Sequence, residues 1–101
     1  ASDPKRLIFR LGEELQLSMR TQRIASRIYE EAKKAGITTG KNPASIAAAI
    51  LYAAGILTGE RRTQGAIGEA AKVTSVTIRK GYKELKEVLD LNELYMSMVS
   101  S

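Results

Sequence analysis

The chain has 101 residues, with 16 Lys or Arg against 11 Asp or Glu and neither cysteine nor histidine. That length suits one domain with a modest core, and the missing Cys and His exclude disulfides, Cys/His metal sites and hydrolases that use a histidine base. The net charge of +5 is uneven: residues 60–83 carry six cations against two carboxylates, whereas 84–101 sum to −3, a pattern that favours a polyanionic partner.

In chain order, Ser2 and Asp3 before Pro4 open a first helix, in which Leu7, Ile8, Leu11 and Leu15 recur at helical spacing up to about Leu17. Gly12 weakens this helix by about 1 kcal/mol and fits a close helix crossing. Ser18 caps a second helix with an apolar stripe of Ile24, Ile28, Ala32 and Ala35, flanked by Ala25 and Tyr29, and Gly36 ends it. Arg20, Arg23 and Arg27 share its other face, as a solvated row or as a contact for phosphate or an acidic partner. Glu30 and Glu31 offset only Arg27.

After a loop at 37–41, Asn42 supplies an N-cap and Pro43 occupies the first helical position, where a missing N–H costs nothing. Residues 44–57 include no charge, and Ile46, Ala47, Ile50, Leu51, Ala53, Ala54 and Leu57 leave no polar face, so this helix is buried all round. At roughly 15 residues it falls short of the about 20 that a bilayer requires. Its alanines suit close approach by neighbours, which makes it the hub of a bundle, with Gly59 closing it.

Glu60, Arg61 and Arg62 form a charged connector. Thr63 caps the next helix, TQGAIGEAAK, whose Ile67, Ala70 and Ala71 face inward. Lys72 and Val73 make a turn, and Thr74 or Ser75 caps VTIRKGYKELKEVL, with Ile78, Tyr82, Leu85 and Leu89 or Val88 inward. The terminal DLNELYMSMVSS reads equally as a short final helix or a frayed tail. No internal repeat and no convincing strand alternation occurs. The fold class is therefore all-α: a five-helix bundle over residues 1–90 around a buried alanine-rich central helix, followed by 91–101.

Residues 63–86 have the layout of a helix-turn-helix in the last two helices. Ile67, Ala71, Val73 and Ile78 fall where that motif needs apolar side chains, and Gly68 where only a small residue lets two helices touch. Two positions depart from it: Lys72 stands where glycine is common, and Gly81 where a branched apolar residue is usual, with Tyr82 as its substitute. On the outer face of the second helix stand Ser75, Val76, Arg79 and Lys80, with Lys83 one turn further. Arg79 can fork onto guanine O6 and N7, and Val76 can lie against a thymine methyl, so these two are the base-reading candidates. Arg61, Arg62, Thr63, Gln64, Lys72, Ser75, Thr77 and Lys80 are the candidates for DNA backbone contacts. A solvated helix gains little from a β-branched apolar residue among polar ones, which singles out Val76.

These stretches carry a resemblance. GKNPASIAAAILYAAGIL followed by TQGAIGEAAKVTSVTIRKGYKEL resembles the second cyclin-type repeat in the core domain of transcription factor B, the archaeal counterpart of eukaryotic TFIIB, over roughly residues 4–90. The resemblance implies a five-helix cyclin-like fold and a general transcription initiation factor. Such a factor binds the TATA-binding protein on promoter double-stranded DNA and recruits RNA polymerase. It further implies that the helix-turn-helix enters the major groove at the B recognition element, just upstream of the TATA box, with Val76 and Arg79 of the VTIR motif at the base-reading positions. The family's zinc ribbon and first repeat are missing here. The chain thus reads as a fragment, with RNA polymerase reached through the missing N-terminal part.

The competing reading is a cyclin-like protein-interaction domain without sequence-specific readout, in which the basic face meets an acidic protein. An enzyme built on Glu13 and Glu14, or on Glu30 and Glu31, is excluded because adjacent helical residues point about 100° apart and do not converge on one substrate atom. No cofactor, metal, small-molecule substrate or membrane is expected. With no recognisable signal peptide, transit peptide or membrane span, the expected location is cytoplasmic and, by the resemblance, nucleoid-associated in an archaeal cell.

Overall fold

A side chain able to receive a freed backbone N–H stands before each helix. The computed structural model describes residues 3–100. In them Asp3, Ser18, Asn42, Thr63, Thr74 and Asp90 cap α1 (Pro4–Glu14), α2 (Met19–Lys34), α3 (Pro43–Thr58), α4 (Gln64–Ala71), α5 (Ser75–Val88) and α6 (Leu91–Val99). The cap oxygens accept from amides two or three residues on, at 2.8–3.3 Å, each cap contributing about 1 kcal/mol. Ser2, the other residue expected at the first helix start, lies outside the described residues.

Four helices close through a residue in the left-handed region: Gln16 (φ 56), Gly36 (φ 78), Gly59 (φ 81) and Lys72 (φ 60). The amide that follows each one turns back into the helix, from Leu17 to Gly12 O, Ile37 to Ala32 O, Glu60 to Gly55 O and Val73 to Gly68 O. The first helix therefore stops at Glu14 rather than near Leu17. Gln16 reverses the chain, and Leu17 is buried as a core residue beyond the turn.

The hub is α3. It packs against all five other helices, and every residue from Ala47 to Gly55 is buried. Ile46 and Leu57 at its ends are half-buried. The small side chains let several helices converge on one axis. A sixth helix, α6, follows the expected five; it packs on α2 and α3 and buries Leu91. No strand occurs among the described residues.

Two details differ from the sequence expectation, at Ala35 and at Glu30. Ala35 is exposed, and the inward face of α2 is completed instead by Thr21 and Gln22, both fully buried. The Gln22 side chain explains Gly12: a Cβ there would lie 2.7 Å from Gln22 Cγ. Its Nε2 donates to Leu17 O at 3.0 Å and to Glu13 Oε2 at 2.6 Å, bracing the α1–α2 corner. Glu30 pairs with Lys5 of α1 at 2.7 Å, which holds its carboxyl below the usual range, so only Glu31 meets Arg27, at 3.2 Å. On α5, where either Leu89 or Val88 was expected inward, Leu89 is the half-buried one and Val88 is exposed.

Candidate nucleic-acid interface

The turn between α4 and α5 is built on two close approaches. A Cβ on Gly68 would lie 2.6 Å from Val73 O, so the turn's own carbonyl fills the space a side chain would need. Ile67 and Ile78 are fully buried and Ala71 nearly so, joining the two helices to the core. Lys72 takes the left-handed position where glycine is common, with φ 60 and ψ 45. Further along α5, a Cβ on Gly81 would lie 2.6 Å from Ala49 Cβ. A branched residue at 81 is thus impossible at this helix separation. The apolar role passes to Tyr82, which meets Tyr52 edge-on at 5.1 Å between ring centroids and 88° between planes.

With Ile78 and Leu85 turned inward, Val76, Arg79, Lys80 and Lys83 recur at spacings of three and four and form one exposed stripe. Val76 is 48% exposed. The side chains of Arg79, Lys80, Lys83 and Lys72 form no hydrogen bond or ion pair with the described residues. Ser75 is exposed in the first turn of α5. Thr77 donates its amide to Thr74 Oγ1, and its hydroxyl receives the Thr74 hydroxyl at 3.0 Å, leaving the Thr77 proton for an outside acceptor. Neither α4 nor α5 has an acidic residue in its first turn, so the positive ends of both helix dipoles are uncompensated there. Thr77 and Lys80 also border an open groove of about 470 Å³ whose floor includes Ile46, Ala49 and Leu85, and across which Lys41 pairs with Glu84.

The connector 60–62 ties this motif to the bundle at three points. Glu60 receives the Thr21 hydroxyl, together with the Ser18 hydroxyl at 2.8 Å and amide at 3.1 Å, and these bonds hold its carboxyl below the usual value of 4.5. Arg61 donates to Tyr52 Oη at 3.1 Å, where Gln64 Nε2 also arrives at 3.4 Å. Arg62 donates to Leu15 O at 2.9 Å, Gln16 O at 3.0 Å and Glu60 O at 3.2 Å.

The three residues so reach α2, α3 and the end of α1 respectively. Arg62, expected at the DNA backbone, is half-buried, and its guanidinium is engaged by the carbonyls of Leu15 and Gln16 where α1 turns. Arg61 and Thr63 are exposed and Gln64 is half-buried, so these remain at the surface.

Sequence reasoning missed Glu60 and Tyr52. The signal for Tyr52 was the one hydroxyl in the buried run from Ala47 to Gly55, a group that needs a partner. It also missed Lys86, whose Nζ lies 4.5 Å from the Tyr82 ring centroid. Of the Arg row on α2, Arg20 lies against Tyr95 of α6 and donates to its hydroxyl, Arg27 is paired, and Arg23 is exposed. Among the described residues no group of His, Cys, Asp or Glu could hold a metal ion, and no helix is long and apolar enough to cross a membrane.

An alanine-rich hub helix wrapped by five others, with a helix-turn-helix on its surface, defines a helical repeat of the cyclin-like class. The pattern of the transcription factor TFIIB repeat matches residues 1–88, and the chain belongs to that family. Among its curated relatives, transcription initiation factor IIB of Sulfurisphaera tokodaii is 49% identical over 90 residues, covering 89% of this chain and 29% of the relative. Transcription initiation factor IIB 1 of Thermoplasma volcanium is 52% identical over 85 residues, covering 84% and 27%. The factor of Methanopyrus kandleri is 50% identical over 90 residues, covering 89% and 29%. These archaeal relatives are more than three times as long as the part this chain matches.

Proposed function

We propose that this chain is a DNA-binding repeat of a general transcription initiation factor, acting in archaeal initiation as its relatives' names indicate. Its helix-turn-helix reads the B recognition element beside a TATA box occupied by TATA-binding protein. The observation that carries the reading is the exposed stripe Val76, Arg79, Lys80 and Lys83 on α5. It combines a forked donor without a protein partner, an apolar contact of methyl size and cations for phosphate, the three components of major-groove recognition. Arg79 and Val76 read bases. Lys80, Lys72, Ser75, Thr77, Thr63, Gln64 and Arg61 meet the backbone. Polymerase recruitment is not assigned to these residues.

One small module neutralises few phosphates, so alone it binds weakly, and tethering beside TATA-binding protein raises its effective concentration at the site. The test is binding to promoter DNA with and without TATA-binding protein. Weak, unselective binding alone and selective binding in the ternary complex are expected. The same weak binding in both would contradict the reading.

A further inference from the structure

The connector leaves one cluster whose chemistry is incomplete within the protein. Tyr52 belongs to the hub helix and is 4% exposed, yet its hydroxyl reaches the start of α4. It receives N–H donors from two side chains there, Arg61 Nη2 at 3.1 Å and Gln64 Nε2 at 3.4 Å. The Arg61 guanidinium can only donate to the phenolic oxygen, and the Gln64 amide is the hydroxyl's other polar neighbour. The carboxylate next to Arg61 in the chain, that of Glu60, is held by Ser18 and Thr21. Arg61 and Gln64 therefore meet at one phenolic oxygen beside the N-terminus of α4, and no carboxylate of the described residues pairs with Arg61 there. The arrangement is stiff. The Tyr52 ring lies 5.1 Å from Tyr82 and under the Arg61 guanidinium at 5.8 Å. A guanidinium gains more from a carboxylate or a phosphate than from a phenol, so the strongest kind of acceptor for Arg61 is not among the described residues.

We propose that Tyr52 is a positioning residue for a backbone contact: its hydroxyl holds Arg61 and Gln64 in place so that both donate to one DNA phosphodiester. The inference rests on the DNA-binding reading above and adds to it a residue buried in the hub. The two hydrogen bonds and the ring under the guanidinium restrict rotamers before DNA arrives. Ordering Arg61 then costs less on binding. The lowered pKa of the Tyr52 phenol, caused first by the Gln64 bond and then by Arg61, fits the same donor-rich surroundings.

The test is duplex binding by the chain at low salt, on promoter DNA and on a scrambled duplex, with thermal melts of each variant. Tyr52→Phe removes the hydroxyl and keeps the ring. It should weaken binding about three- to tenfold on both duplexes alike, with a salt slope lowered toward that of Arg61→Ala. In the Arg61→Ala background Tyr52→Phe should add little. Arg61→Lys keeps the charge but loses the fork between Tyr52 and phosphate, and should show a similar loss. Wild-type affinity and slope for Tyr52→Phe or Arg61→Lys, with Lys80→Ala still impaired, would overturn the positioning role and leave the DNA reading intact. Absence of salt-dependent duplex binding by the wild-type chain would remove both.

Discussion

Gly81 of α5 faces Ala49 of α3 so closely that a methyl at 81 would lie 2.6 Å from the Ala49 methyl. This crossing sets how deeply α5 seats on the hub. Because one face of α5 is buried there, the opposite face carries Val76, Arg79 and Lys83 into solvent. Gly81→Ala should overpack the crossing at about 1–3 kcal/mol, lowering the melting temperature by about 4–8 °C per kcal/mol. Ala49→Gly in that background should restore part of it. Gly65, whose added Cβ would meet nothing closer than Thr63 Oγ1 at 3.9 Å, is the control: Gly65→Ala should stabilise by about 0.4–1 kcal/mol. Equal melting shifts for Gly81→Ala and Gly65→Ala would show that the crossing is not tight.

Lys72 holds a left-handed conformation that disfavours any side chain. Lys72→Gly should raise stability by about 1 kcal/mol and lower the salt slope of DNA binding by about one. Stability and binding would then move in opposite directions in a single variant, read by thermal melts and by titration. A fall in melting temperature would mean that the lysine side chain supports the turn.

Glu60 predicts a pH dependence. Its folded pKa lies below 4.5, chiefly through the Thr21 hydroxyl and then Ser18. A carboxylate so lowered adds stability that is complete above its unfolded value and is lost as pH falls through the folded one. Wild type and Glu60→Gln should therefore differ most above about pH 5, and their melting temperatures should converge in more acid solution. A constant gap down to low pH would assign the effect to packing rather than charge.

What the sequence makes legible follows from which interactions are local. The hub is plain because Asn42-Pro43, an uncharged run and Gly59 all lie within one segment. The exposed stripe of α5 is equally plain, because helical period alone separates Val76 and Arg79 from Ile78. The end of α1 is hidden, since the residue that turns the chain is Gln16 and not glycine. Helix α6 is ambiguous because it is short and one of its anchors is Tyr95 against Arg20. Arg62 reads as a free cation until Leu15 and Gln16, over forty positions away, bring their carbonyls to it. The partners of Tyr52 are hidden for the same reason: they come from another helix and the connector before it.

The central claim is that α5 reads bases through Arg79 while Lys80 only grips the backbone. The direct measurement is the affinity of Arg79→Ala and Lys80→Ala in a complex with TATA-binding protein, on the favoured upstream sequence and on a scrambled one. Arg79→Ala should cost about 1–3 kcal/mol on the favoured sequence and much less on the scrambled one. Val76→Ala should act the same way more weakly, and Lys80→Ala should weaken both nearly equally. If Arg79→Ala weakened the two sequences by the same factor, Arg79 would be another phosphate ligand and α5 would not be the element that reads the promoter.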